Sequence, residues 1–167
     1  MLYRISNWIS QCNRWIGEKV SWFSLVLVIL ICLDVLFRYL FASTQTWIIE
    51  LEWHIFSLLF LIGASYAFLE NEHVRVDVFY NNYTSKTKAR FDIFFTIILL
   101  IPWCIVIIKT SYQYAVNSFY MNEASPNPGG LPARYIIKFA ICFGFILLLA
   151  QAIAFIIDRI KTLKSDV

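Results

Sequence analysis

The stretch Val20-Ser-Trp-Phe-Ser-Leu-Val-Leu-Val-Ile-Leu-Ile-Cys-Leu-Asp-Val-Leu-Phe-Arg-Tyr-Leu-Phe41 decides the fold. Two charges, Asp34 and Arg38, interrupt an otherwise apolar run. Crossing a bilayer core of roughly 30 Å takes about 20 mostly apolar residues at the helical rise. This run is long enough, and in lipid it must be helical, because no water is present to satisfy free backbone groups. Three further blocks share its character: about Trp47 to Leu69, Phe91 to Val116 and Tyr135 to Ile157. The chain is 60% hydrophobic and 15% charged, against roughly 45–50% and about 25% in soluble domains. Most of its charges fall between the blocks. An ordinary soluble domain is excluded. The expected fold is an all-α integral membrane protein, one membrane domain over residues 1–167 with four transmembrane helices.

Ahead of the first block, Ile5, Trp8, Ile9, Cys12, Trp15, Ile16 and Val20 recur at three- and four-residue steps. Arg4, Asn7, Gln11, Arg14 and Glu18 fall between them. One apolar stripe on a helix predicts an amphipathic segment over 3–18 lying in the membrane interface, with Trp8 and Trp15 as anchors. The alternative is a helix packed on other protein. The same polar residues leave no continuous apolar core for a cleavable signal, so the first block is read as an uncleaved anchor.

Basic residues in the short connections orient the spans. Arg4, Arg14 and Lys19 precede the first; Arg75, Lys86, Lys88 and Arg90 lie between the second and third; Arg159, Lys161 and Lys164 end the chain. The connections 42–46 and 117–133 carry no Lys or Arg. Both termini are therefore expected in the cytoplasm and the two uncharged-by-base loops outside.

Ionisable groups at membrane depth are costly and usually have a partner. Asp34 and Arg38 share a face, four residues apart. The turn after Arg38 is short, which brings Glu50 and Glu52 to a similar depth. An ion pair of Arg38 with Glu50 or with Glu52 is expected, the alternative being that Arg38 snorkels to outer headgroups. Lys109 and Lys138 lie near outer boundaries, where snorkelling anchors are the default. Pro102 should kink the third span. Gln151, deep in the fourth, is a candidate for an interhelical hydrogen bond, and Gly63 with Ala67 form a small-xxx-small pair for close helix packing. The four cysteines, Cys12, Cys32, Cys104 and Cys142, form no CxxC pair and read as packing residues. No P-loop, nucleophile elbow or metal cluster is recognisable. Neither a catalytic nor a cofactor or metal site is expected, and no nucleic-acid partner. One haem would need two ligands at one depth. His54 and His73 would stand about 28 Å apart on a continuous helix, which argues against a membrane anchor for a redox enzyme. No polar stripe runs the length of any span, as the lining of a homo-oligomeric channel or exporter should.

Two stretches carry a resemblance. Glu50-Leu-Glu-Trp-His54 is followed by Leu59-Phe-Leu-Ile-Gly-Ala64 and then by Asn71-Glu-His-Val-Arg-Val-Asp-Val-Phe-Tyr80. The second is Ser125-Pro-Asn-Pro-Gly-Gly-Leu-Pro132, with Lys138 and Gln151 beyond it. Together with Asp34 to Tyr39, these resemble the small membrane subunit, DctQ-like, of tripartite ATP-independent periplasmic (TRAP) transporters. The resemblance implies an accessory subunit in a bacterial inner membrane. It would pack about one to one on a large elevator subunit that carries the substrate and sodium sites, and would help to dock a periplasmic substrate-binding protein. The implied cargo is a small organic acid. Trp53, His54, Gly63, Ala67, His73, Arg75, Asp77 and Gln151 then become candidates for the subunit interface. Ser125, Pro126, Gly129, Gly130, Leu131 and Pro132 become the candidate docking loop.

Overall fold

The computed structural model describes residues 2–70 and 83–165. Helix α1 (Leu2–Ser21) passes through Trp22 into α2 (Phe23–Phe41), and α3 (Thr46–Leu69) returns beside it. Then α4 (Ser85–Phe95), a π-helical turn (Thr96–Leu100) and α5 (Ile101–Tyr120) run end to end, and α6 (Tyr135–Ser165) closes the chain. Among the described residues, four stretches are long and apolar enough to cross a membrane: Tyr3–Phe41, Thr46–Leu69, Ser85–Tyr120 and Tyr135–Lys164. The bundle thus has a loop end, carrying the α2–α3 and α5–α6 connections, and a terminal end.

Helix α6 is the hub and packs on α1, α3, α4 and α5. Its buried side is small, with Ala140, Ala152 and Ala154 among its buried residues. In lipid no hydrophobic driving force pulls helices together, so contact depends on how closely backbones approach. Gly144 permits a close approach of two backbones, because a Cβ there would stand 2.8 Å from the Leu61 carbonyl oxygen of α3. Gly17 does the same for α1 against the Tyr66 ring. Gly63 does not: a Cβ placed on it meets nothing within 4 Å. The close packing expected at Gly63 is therefore not made within this chain. Phe68, Cys104, Leu148 and Ala152 form the core, extended by Phe155, whose ring lies 4.9 Å from that of Phe68.

Helix α1 presents three faces. Ser6, Asn13 and Gly17 are buried against α3 and α6. Trp8 and Trp15 are 66% and 63% exposed. Arg4, Gln11 and Glu18 are exposed on a third side. At 100° per residue the packed face lies roughly a quarter turn from the predicted apolar stripe. The stripe was legible, but the contact with protein is made by small and polar residues beside it.

Helix α2 is held lightly. Asp34 is its one buried residue, and most of its Leu, Ile, Val and Phe side chains are exposed. The predicted disturbance at Pro102 takes the form of the π turn just before it, where the Ile101 N–H reaches the Thr96 carbonyl. Proline supplies no N–H and crowds the preceding turn, and one wide turn absorbs both defects.

Candidate functional site

The loop end is organised by one carboxylate. Glu50 sits one turn into α3 and is 3% exposed. It accepts hydrogen bonds from the Ser125 hydroxyl, from the Leu131 N–H at 2.7 Å and from Arg134 Nη2 at 3.3 Å. A buried carboxylate is tolerable only with such partners. They reach it because the loop 121–134 folds back on itself. The Ser125 N–H bonds the Leu131 carbonyl at 3.0 Å, and the Arg134 N–H bonds the Glu123 carbonyl at 2.9 Å. Asn122, Gly129 and Ala133 have positive φ, the shape that Pro- and Gly-rich chains favour. Gly130 is obligatory in a second sense. A Cβ there would stand 2.3 Å from Ser125 Oγ and 2.8 Å from Glu50 Oε2.

A second pair flanks the first. Glu123 accepts a hydrogen bond from Lys138, whose ammonium also sits 3.8 Å from the centre of the Tyr114 ring. The Lys138 ammonium holds the Glu123 carboxyl below the usual carboxylate range, and nearby Arg134 adds to this. Lys138 is 7% exposed, which corrects its reading as a snorkelling anchor: its charge has a partner within the bundle. Lys109 is exposed. The Arg134 guanidinium lies 5.8 Å from the centre of the Trp53 ring, and His54 Nδ1 donates to the Glu50 carbonyl.

Arg38 departs from expectation. It pairs with Asp34, one turn back on its own helix, whereas Glu50 takes Arg134. The expected Arg38–Glu50 pair is therefore corrected. The i,i+4 partner needs no search across helices, and Arg134 lies on the same side of α3 as the loop. Glu52 lies within electrostatic reach of Asp34 and Arg38, but makes no ion pair with Arg38; its Oε1 has no hydrogen-bond partner among the described residues.

Deeper in the bundle, Asn13 Nδ2 donates to Gln151 Oε1 at 2.8 Å, and Ser65 Oγ donates to Asn13 Oδ1 at 3.1 Å. Ser6 Oγ donates to Asp158 at 3.0 Å. These bonds tie α1, α3 and α6 together. Gln151 is 3% exposed and has its partners inside the chain. Near the terminal end Arg14 pairs with Glu70 and Arg159 with Asp92. His73, Arg75 and Asp77 lie outside the described residues. The tip residues Pro126 and Gly129, with Pro132, are exposed.

Sequence reasoning missed Arg134, Glu123, Asn13 and Ser65. Arg134 stood at the margin between loop and span, where it was assigned to neither. Asn13 was assigned to neither face of the helix, although its seven-residue spacing from Ser6 placed both on one side.

Fold and site together define a polytopic helical membrane protein whose loop-end charges are partnered internally to shape the 121–134 loop. The chain belongs to the family described as tripartite ATP-independent periplasmic transporters, DctQ component, whose family model matches residues 27–162. No curated protein matches it. A transporter component of this family works with other subunits and is not of an enzyme family.

Proposed function

We propose that this chain is the non-transporting scaffold of a TRAP-type secondary transporter. It packs about one to one on a large membrane subunit, supports sodium-coupled uptake of a small organic acid, and offers its loop end to a periplasmic substrate-binding protein. Both termini then lie in the cytoplasm and the membrane is the bacterial inner membrane, in keeping with the Lys and Arg of the flanking segments. The observation that carries the reading is the exposure of α2. A helix exposed over nearly its whole length, beside an α3 face whose Gly63 opens onto free space, offers a broad surface to lipid and to a partner helix. A fixed wall for a moving carrier needs such a surface, together with interfacial anchors such as Trp8 and Trp15 that resist displacement along the membrane normal.

Gentle detergent extraction of the tagged chain from its native membranes, with mass spectrometry of the co-purifying proteins, tests this. Stoichiometric recovery of one large polytopic protein is expected. Recovery of the chain alone, as a discrete homo-oligomer, would overturn the scaffold reading. The docking role has its own test. Deleting Gly129 and Gly130 should lower uptake while the binding protein keeps its affinity for substrate, and undiminished uptake would count against it.

A further inference from the structure

A groove of about 350 Å³ lies at the terminal end of the bundle, between α4 with its π turn and the last turn of α6. Arg90, Ile93, Phe94, Ile97 and Ile98 line one wall and Leu163 the other. The first five follow one another at i, i+3, i+4, i+7 and i+8, which makes them a single helical stripe. From Arg90 to Ile98 the stripe runs about 12 Å along the helix, from the end of the span toward its middle. Arg90 is exposed, and among the described residues its guanidinium has no ion pair or hydrogen bond. The nearest acid in sequence, Asp92, has a side chain only 8% exposed and is held by Arg159 at 2.9 Å. Lys164, next to Leu163, is a second exposed cation. No acid lines the groove. Its mouth therefore carries an unpaired guanidinium, and the trough below is apolar along its length.

We propose that this groove binds one anionic phospholipid of the surrounding bilayer, with its phosphate at Arg90 and an acyl chain along Phe94, Ile97 and Ile98. Two observations select this occupant. The first is charge. A guanidinium presents five N–H donors in a planar fork that matches two phosphate oxygens. With no acid in the groove, the ammonium of a zwitterionic headgroup finds no partner beside it. The second is the lining. A helix of another subunit is the rival occupant, and helix contacts in lipid are made through small residues that let backbones approach, as Gly144 does on α6. The trough has none of these, only branched and aromatic side chains. A helix laid over it would also have to bring a carboxylate to Arg90, since a buried unpaired charge is costly.

The test takes the full chain, with any protein that co-purifies, into nanodiscs of equal phosphatidylglycerol and phosphatidylcholine, and identifies the lipids that stay bound by native mass spectrometry. The wild type should keep one phosphatidylglycerol, favoured by about fivefold, as one basic residue contributes at an anionic surface. Arg90→Gln should bring the two lipids to about equal retention, and because Arg90 has no partner to lose, the variant should fold as the wild type does. Arg4→Gln removes another exposed cation of the terminal end, outside the groove, and should leave the preference intact. Ile97→Trp fills the trough, keeps Arg90 and should abolish retention. A wild type that keeps no lipid, or keeps the two equally, would overturn the proposal. So would an unchanged preference in Arg90→Gln or undiminished retention by Ile97→Trp. A loss in Arg4→Gln as large as in Arg90→Gln would overturn it too, by assigning the preference to the basic surface as a whole.

Discussion

Glu50 and Gly130 show how far a single residue reaches. The carboxylate is buried and shared among a hydroxyl, a backbone N–H and a guanidinium, and the glycine has no side chain because those same groups occupy the space. Replacing Glu50 by Ala leaves Arg134 without its ion-pair partner and Ser125 without its acceptor. Breaking a buried pair costs about 3–5 kcal/mol, which denaturant unfolding in micelles should register, with faster proteolysis in the loop. Gly130→Ala should cost about 1–3 kcal/mol through overpacking. Gly63→Ala is the control. Its Cβ enters open space, so helix propensity alone should make it neutral or stabilising by up to about 1 kcal/mol. If Gly63→Ala proves as damaging as Gly130→Ala in the isolated chain, the placement of Gly63 on an open face of α3 is wrong.

Among the elements, α1 and α2 form a contrast. Helix α2 has the sequence of a membrane span and few contacts. Helix α1 has a mixed sequence and is fastened by polar bonds to both α3 and α6. The fastening depends on Asn13 and Gln151. Asn13→Leu or Gln151→Leu should destabilise the chain by about 0.6–1.7 kcal/mol, the range for hydrogen bonds between membrane helices. The double variant should cost less than the sum of the two, because each single change leaves the other amide buried without its partner. Additive costs would show that the two side chains act independently. No residue of the hydrophobic stripe that identified α1 as a helix is buried (Ile5, Trp8 and Trp15 are exposed and the others half-buried), so the periodicity of the sequence located the helix without locating its closest contacts. Pro102 was legible as a disturbance. That the chain would answer with a π turn depended on the residues around it.

For the whole molecule, the ion pairs lie toward both ends of the bundle and the apolar core between them. The loop end therefore responds to pH. Glu123 lies below the usual carboxylate range because Lys138 holds it charged. A group with a lowered folded value contributes its full stability above the ordinary carboxylate range and loses it as pH falls through the lowered folded value. The loop end should accordingly hold between about pH 9 and about pH 5 and loosen as pH falls below about pH 4, through the lowered value. Thermal unfolding in detergent across that range would show it, and Glu123→Gln should flatten the acid limb. An unchanged acid limb in the variant would assign the effect to another carboxylate.

The sequence by itself determined the membrane, the four spans and the interrupted third helix. These follow from bilayer thickness and from the need to satisfy every backbone group within the span, constraints that act on each segment alone. It also favoured a shaped turn over 125–132, since Pro fixes φ and Gly admits positive φ, both local effects. Which charge meets which was decided only by the tertiary structure. Arg38 had three acidic residues within plausible reach and took the one on its own helix. Glu50 found its partners 75 to 84 residues away, at a distance set by how α6 packs on α3 through Gly144. Pairing is a property of relative helix position, and in lipid that position is set by backbone approach and side-chain fit, to which no periodicity in the chain gives access.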